Sequence, residues 1–216
     1  MWYTTFIMKQ TDKKRVLAEL VALYPDAKPA LHYTTTYELL VAVVLSAQCT
    51  DERVNKVTAV LFEKYSTPQA MLTLSQKELE KYIFSCGFYR MKAEHILSAS
   101  RDIIEKFGGE VPGTIEELMS LAGVGKKTAN VVYSVAFGGA AIAVDTHVFR
   151  VSNRLGLAKG KTPEEVEKGL NKAVPKEDWS KAHHWLIYHG RRVCHSQRPD
   201  CENCTLRSLC DYAKNK

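Results

Sequence analysis

LAGVGKKTANVV, residues 121–132, is a glycine-pinched turn between two helix-forming runs. The run before it, IEELMSLA (115–122), carries apolar side chains at three- and four-residue spacing. Gly125, Lys126, Lys127 and Thr128 stand side by side. Glycine, lysine and threonine together suggest a phosphate ligand. A nucleotide P-loop needs G-x-x-x-x-G-K-[ST] after a strand. Here Lys127 replaces the Ser or Thr, Ser120 replaces the first glycine, and the preceding run is helical. A helix, a tight turn and a second helix fit better. Gly123 and Gly125 bare the backbone around Val124, whose side chain can plug the apolar floor between the helices. Amides at a helix start form an anion site, because the dipole and the N–H groups point outward together. Such a hairpin can rest on a DNA phosphate without reading sequence.

Working outward, helical spacing recurs at 15–24, 37–48, 53–65, 77–86 and 92–107. Proline and glycine separate the runs. AAIAV (140–144) is the best strand candidate, but it is short and lies between helices. The expected fold is all-α, in two helical lobes with a cleft. One lobe, 29–139, holds six helices including the hairpin. The other joins 1–28 to 140–216, with Gly138–Gly139 as the crossing. KTPEEVEKGL reads as a capping box, Thr162 with Glu165. Trp179, His183, Leu186 and Gly190 read as a core face with polar histidines.

Composition sets outer bounds. The chain has 216 residues, 45% of them hydrophobic, and a net charge of +6, which permits a polyanion partner without demanding one. No run is long and apolar enough for a membrane span. MWYTTFI (1–7) does not read as a signal peptide, and MKQTDKKRV from Met8 reads as an ordinary cytosolic start after a short extension. Six cysteines without a secretory signal do not suggest disulfides. Cys49 and Cys86 read as small buried hydrophobes in helical stretches.

Lys126 and Lys127 stand in the first turn of a helix, where a cation is disfavoured by about 0.3–1 kcal/mol. One lysine can meet the phosphate. The other feels its neighbour, the dipole and burial, all of which lower its proton affinity. A lysine that loses its proton near neutral pH is a nucleophile.

Four cysteines, 194, 201, 204 and 210, crowd one loop with gaps of six, two and five residues. Zinc sites show two close pairs, and here only one pair is close. Four thiolates from one tight loop suit a [4Fe–4S] cluster, with zinc as the alternative. Arg191, Arg192, Arg198 and Arg207 surround the loop and would hold phosphates; Lys214 and Lys216 follow.

LAGVGKKTAN, followed by VDTHVFR (144–150), SAQCTD (46–51) and the C-x6-C-x2-C-x5-C loop, resembles the endonuclease III family of DNA glycosylases. The likeness runs from about Met8 to Cys210. It implies that Lys127 is the catalytic nucleophile and Asp145 its partner. It also implies that Gln48 and Phe88 fill the hole left by a flipped nucleotide. His147 is placed near the pocket. The family's usual proline before the first glycine is Ala122 here. Relatives specialised for mispaired adenine carry serine at the lysine position and a further C-terminal domain; Lys127 and the chain's end soon after its cysteines favour the lyase branch. The expected enzyme is a bifunctional glycosylase and abasic-site lyase that excises oxidised pyrimidines. Pyrimidine dimers or mismatches are alternative substrates, and a non-catalytic DNA-binding module or an iron–sulfur electron carrier is an alternative class. The expected partner is double-stranded DNA with damaged pyrimidines or abasic sites, met by a monomer in the cytoplasm, on the nucleoid in a prokaryote. Asp145 alone reads as an N-cap, a role compatible with facing a cleft.

Overall fold

The computed structural model describes residues 8–214; the extension read at 1–7, and Lys216, lie outside them. The described residues are all-α, in twelve helices. These are α1 (Gln10–Leu23), α2 (Thr36–Ser46), α3 (Asp51–Leu61), α4 (Pro68–Met71), α5 (Gln76–Ile83) and α6 (Tyr89–Phe107). Then come α7 (Ile115–Ser120), α8 (Lys126–Ala136), α9 (Thr146–Leu155), α10 (Pro163–Ala173), α11 (Trp179–Arg192) and α12 (Asp211–Lys214). Short 3-10 turns sit at Lys176–Asp178 and Arg207–Leu209. None of these helices is long and apolar enough to cross a membrane.

The chain divides into two compact units, one of them Pro29–Gly139 and the other the chain up to Lys28 and from Ala140 on. The Pro29–Gly139 unit is built around α2. Thr35 caps this helix in a full capping box with Glu38. Every residue from Tyr37 to Leu45 is buried, and beyond the capping Glu38 the helix is apolar all round, as a central core helix must be. α6 and α8 pack against it. Val124 joins the same core from the hairpin turn. The unit holds seven helices where the spacing predicts six. The extra one, α4, is a single turn capped by Thr67 with Pro68 at its start, too short to show periodicity.

The other unit centres on α9, whose Val148, Val151 and Leu155 pack with Trp185 and Leu186 of α11 and with Val166 and Leu170 of α10. The 140–144 run is no strand. Ala141–Val144 is buried without regular structure, because the described residues offer it no second strand to pair with. At α10 the Thr162 cap forms with the Glu165 amide, but the capping box does not. The Glu165 carboxylate accepts instead from the Lys161 amide at 2.6 Å, one residue further out. On α11, His183 and Leu186 are buried as a core face, and half-buried Trp179 donates Nε1–H to the Val174 carbonyl at 3.0 Å.

Candidate functional site

α7, the turn 121–125 and α8 form the helical hairpin. Gly123 has φ +76, and a Cβ there would lie 2.8 Å from Nδ1 of His95 on α6; no side chain fits. Gly125 is different. Its φ is −86, ψ is 176, and a Cβ would meet nothing within 4 Å. The backbone does not require glycine here, and the space over the start of α8 stays open. Gly125 is the N-cap of α8 and brings no side-chain acceptor to the first-turn amides. Elsewhere, Thr35, Thr50, Ser75, Thr114, Asp145 and Thr162 each cap their helix through the side chain. α8 has no acid in its first turn either, only Lys126 and Lys127. By capping rules this start is less stabilised than those six, a feature it shares with the uncapped start of α6. Lys126 and Lys127 are exposed and Thr128 is half-buried. The burial expected for the second lysine is not found at Lys127.

Gln48 and Phe88 are both exposed and both left-handed, with φ of 52 and 57. Phe88 is 59% exposed, which rules out ordinary core for this large apolar side chain. Gln48 lies beyond the end of α2 rather than in its last turn. Cys49 and Cys86 are likewise in turns, not in helices. Cys86 is buried, and its thiol is pushed up to about 11 by desolvation and by the Cys49 thiol beside it. Cys49 is half-buried.

Asp145 caps α9, accepting from the Val148 amide at 2.8 Å, and is half-buried. His147, in the first turn of α9, is held below its usual range by desolvation, which the Asp145 carboxylate opposes. On α11, His184 is pushed down to about 4 by burial, again against Asp145.

Two arginines of α9, unmarked by the sequence reading, tie this helix to the cysteine loop. Arg150 donates to the Gly190 carbonyl at 3.0 Å and the Cys194 carbonyl at 3.1 Å, and its guanidinium lies 3.1 Å from His147 Nδ1. Arg154 donates to the Ser196 carbonyl at 2.9 Å, to the His195 carbonyl, and to Cys194 Sγ at 3.6 Å. Its guanidinium also lies over the Tyr212 ring, 4.8 Å from the centroid. The signal was present: 150 and 154 are four apart on the helix that Asp145 starts, so they share one face.

Cys194, Cys201, Cys204 and Cys210 line one pocket, with about 320 Å³ of empty space counting its mouth. Burial raises the Cys204 and Cys210 thiols, and the neighbouring cysteines raise them further. Sulfurs that oppose one another's ionisation accept it once a cation sits among them, so the donor set fits a group ligated by thiolates. Among the described residues, no three His, Cys, Asp or Glu side chains form a ligand set for a single ion. Arg207 lines the pocket, and Arg191 and Arg198 are exposed. Arg192 is exposed but committed on one face, stacked 4.6 Å from the Tyr188 ring centroid and 5.7 Å from that of Tyr24.

A helical hairpin with an open N-terminus, in an all-α frame, defines the helix-hairpin-helix class. The family model described as HhH-GPD superfamily base excision DNA repair protein matches residues 41–176. Endonuclease III of Bacillus subtilis is 54% identical over 189 residues, covering 87% of this chain and 86% of its own. Endonuclease III of Haemophilus influenzae is 48% identical over 205 residues, 95% of this chain and 97% of its own. A solved structure of a trapped endonuclease III–DNA covalent intermediate is similar with a TM-score of 0.93 and 50% identity, covering 96% of this chain and 98% of that one. The chain belongs to the endonuclease III family of HhH-GPD base excision repair proteins.

Proposed function

We propose that this chain is a base excision repair DNA glycosylase and lyase that removes oxidised pyrimidines from duplex DNA through Lys127. The observation that carries the reading is the start of α8: a helix N-terminus with no side-chain cap, no acid in its first turn, open space over Gly125 and two exposed lysines. The Gly123–Gly125 backbone and Lys126 receive a DNA phosphate, with Val124 anchoring the turn and Thr128 beside it. Gln48 and Phe88 enter the stack where the damaged nucleotide leaves it.

Lys127 Nζ then attacks C1′ of the sugar. The bond from C1′ to the base breaks, and the base departs with the electron pair. Asp145 stabilises the positive charge that builds on the sugar. The adduct loses a proton from nitrogen, the C1′–O4′ bond breaks as the nitrogen lone pair forms the imine, and O4′ takes up a proton as the ring opens. The imine acidifies the 2′ hydrogen, whose removal expels the 3′ phosphate by β-elimination. Water hydrolyses the imine and frees the lysine. Lys127 lies exposed in the free protein, where the sugar of a flipped nucleotide can reach it.

Cys194, Cys201, Cys204 and Cys210 would hold a [4Fe–4S] cluster. When bound, it supplies bonds that fix the loop, holding Arg192 for a phosphate at the DNA edge. Arg150 and Arg154 join that loop to α9, and so to Asp145 and His147. The chain acts as a monomer in the cytoplasm.

Strand scission on a duplex carrying one thymine glycol tests the reading. Wild type should leave a β-elimination end, and Asp145→Asn should lower the rate by about a hundredfold or more. Tight binding without scission by cluster-loaded wild type would favour a non-catalytic DNA-binding module.

A further inference from the structure

Lys92, the fourth residue of α6, is almost fully buried, at 4% exposure. A buried ammonium needs partners, and these are specific. Nζ donates to the Leu45 carbonyl at 2.8 Å and the Ala47 carbonyl at 2.7 Å, both at the C-terminal end of α2. The backbone amide of the same residue donates to the Phe88 carbonyl at 3.1 Å. That bond is the ordinary first-turn bond of α6; the side chain is what ties the start of α6, which Phe88 caps, to the turn before Gln48. We propose that Lys92 is a positioning residue that holds Gln48 and Phe88 as one unit for entry into the DNA stack.

The inference rests on the reading of those two residues given above, and three further observations support it. Gln48 and Phe88 are the two left-handed non-glycine residues of the Pro29–Gly139 unit among those described, and left-handed backbone at such residues persists only where its surroundings hold it. Gly87 lies against the Gln48 carbonyl, where a Cβ would be 3.3 Å away, so the two turns are already in close approach. Cys49 and Cys86, one from each turn, pack in the same core, and Cys49 helps to raise the Cys86 thiol. Burial holds Lys92 below its ordinary range, and the two cysteines oppose that shift. A cation at a helix C-terminus is favourable. A simple cap would sit in solvent, however, and this one is buried where both turns meet.

The test is a split between two substrates. Single-turnover excision is measured on a duplex with one thymine glycol. Scission is measured in parallel at an abasic site in a single-stranded oligonucleotide, where there is no stack to enter. Lys92→Met keeps the apolar stem and removes both charge-assisted bonds. It should lower duplex excision about tenfold or more while single-stranded scission stays within about twofold. In a Gln48→Ala background the same change should cost less than about threefold, because both act through one turn. Lys92→Gln, shorter and neutral, is read the same way if Lys92→Met does not fold. Equal losses on both substrates, full additivity with Gln48→Ala, or an unchanged ratio of the two activities would overturn the assignment. If Gln48→Ala itself leaves duplex excision intact, it is the stack-entry reading that fails.

Discussion

Replacing Gly125 by aspartate should stabilise the protein and weaken its hold on DNA. Residue 125 is extended, with φ −86, and a Cβ there meets nothing, so the change brings no strain. An aspartate N-cap gains a few tenths of a kcal/mol over glycine through its bond to a first-turn amide. Its charge on the helix dipole adds about 0.3–1 kcal/mol, and the two lysines of the first turn add to that. The sum, about 1 kcal/mol, corresponds to roughly 2–4 °C in Tm for a chain of this size. The same carboxylate occupies the open space assigned to the phosphate and repels it. Affinity for an abasic-site duplex should therefore fall about tenfold or more, and the salt slope of binding should lose about one unit. Melting curves and fluorescence anisotropy at several salt concentrations read both effects on the same protein. A variant that gains stability and binds DNA as before, with the same salt slope, would refute the phosphate assignment.

Gly123→Ala should behave oppositely, losing stability by about 1–3 kcal/mol in urea titration, because the left-handed backbone and the His95 ring both reject a Cβ. Arg154→Met should loosen the cysteine loop. It removes two charge-assisted bonds to the 195 and 196 carbonyls, worth about 3–6 kcal/mol together before solvent exposure is discounted. Faster bleaching of visible cluster absorbance under a chelator, compared with wild type, checks this. His184 gives a pH signature. Its folded value of about 4 lies below the ordinary histidine value, so the unfolded chain binds the extra proton first. Stability is full near neutrality and is lost as pH falls, by roughly 2 kcal/mol between about pH 7.5 and about pH 5 from this group. His184→Gln should flatten that part of the profile in urea titrations.

The parts legible in the sequence are those whose physics is local. A G-x-G between helical runs can only be a tight turn, and lysines in the first turn of a helix contradict helix stability, so the hairpin and its charge stood out. Four cysteines within one short loop are expected together from spacing alone, and they line one pocket. What stayed hidden depends on tertiary partners. Lys92 is one lysine among many along a helix, and only the approach of α2's end makes its burial sensible. Arg150 and Arg154 share a helix face, yet what they grip lies about forty residues away in sequence. The 140–144 run has strand composition but no strand to pair with, and Glu165 reached past its expected partner to Lys161. Apolar composition suggested helical burial for Cys49 and Cys86, whereas the turns at both sites put them side by side.

The central claim is that the second lysine of the hairpin forms a covalent bond to the sugar. Borohydride trapping tests it most directly. The protein is mixed with a thymine-glycol duplex, borohydride is added, and a covalent protein–DNA band is sought on a denaturing gel beside Lys127→Gln and Lys126→Gln. A band is expected for wild type and Lys126→Gln and none for Lys127→Gln. A band that survives in Lys127→Gln, or none from cluster-loaded wild type on either a thymine-glycol or an abasic-site duplex, would contradict it.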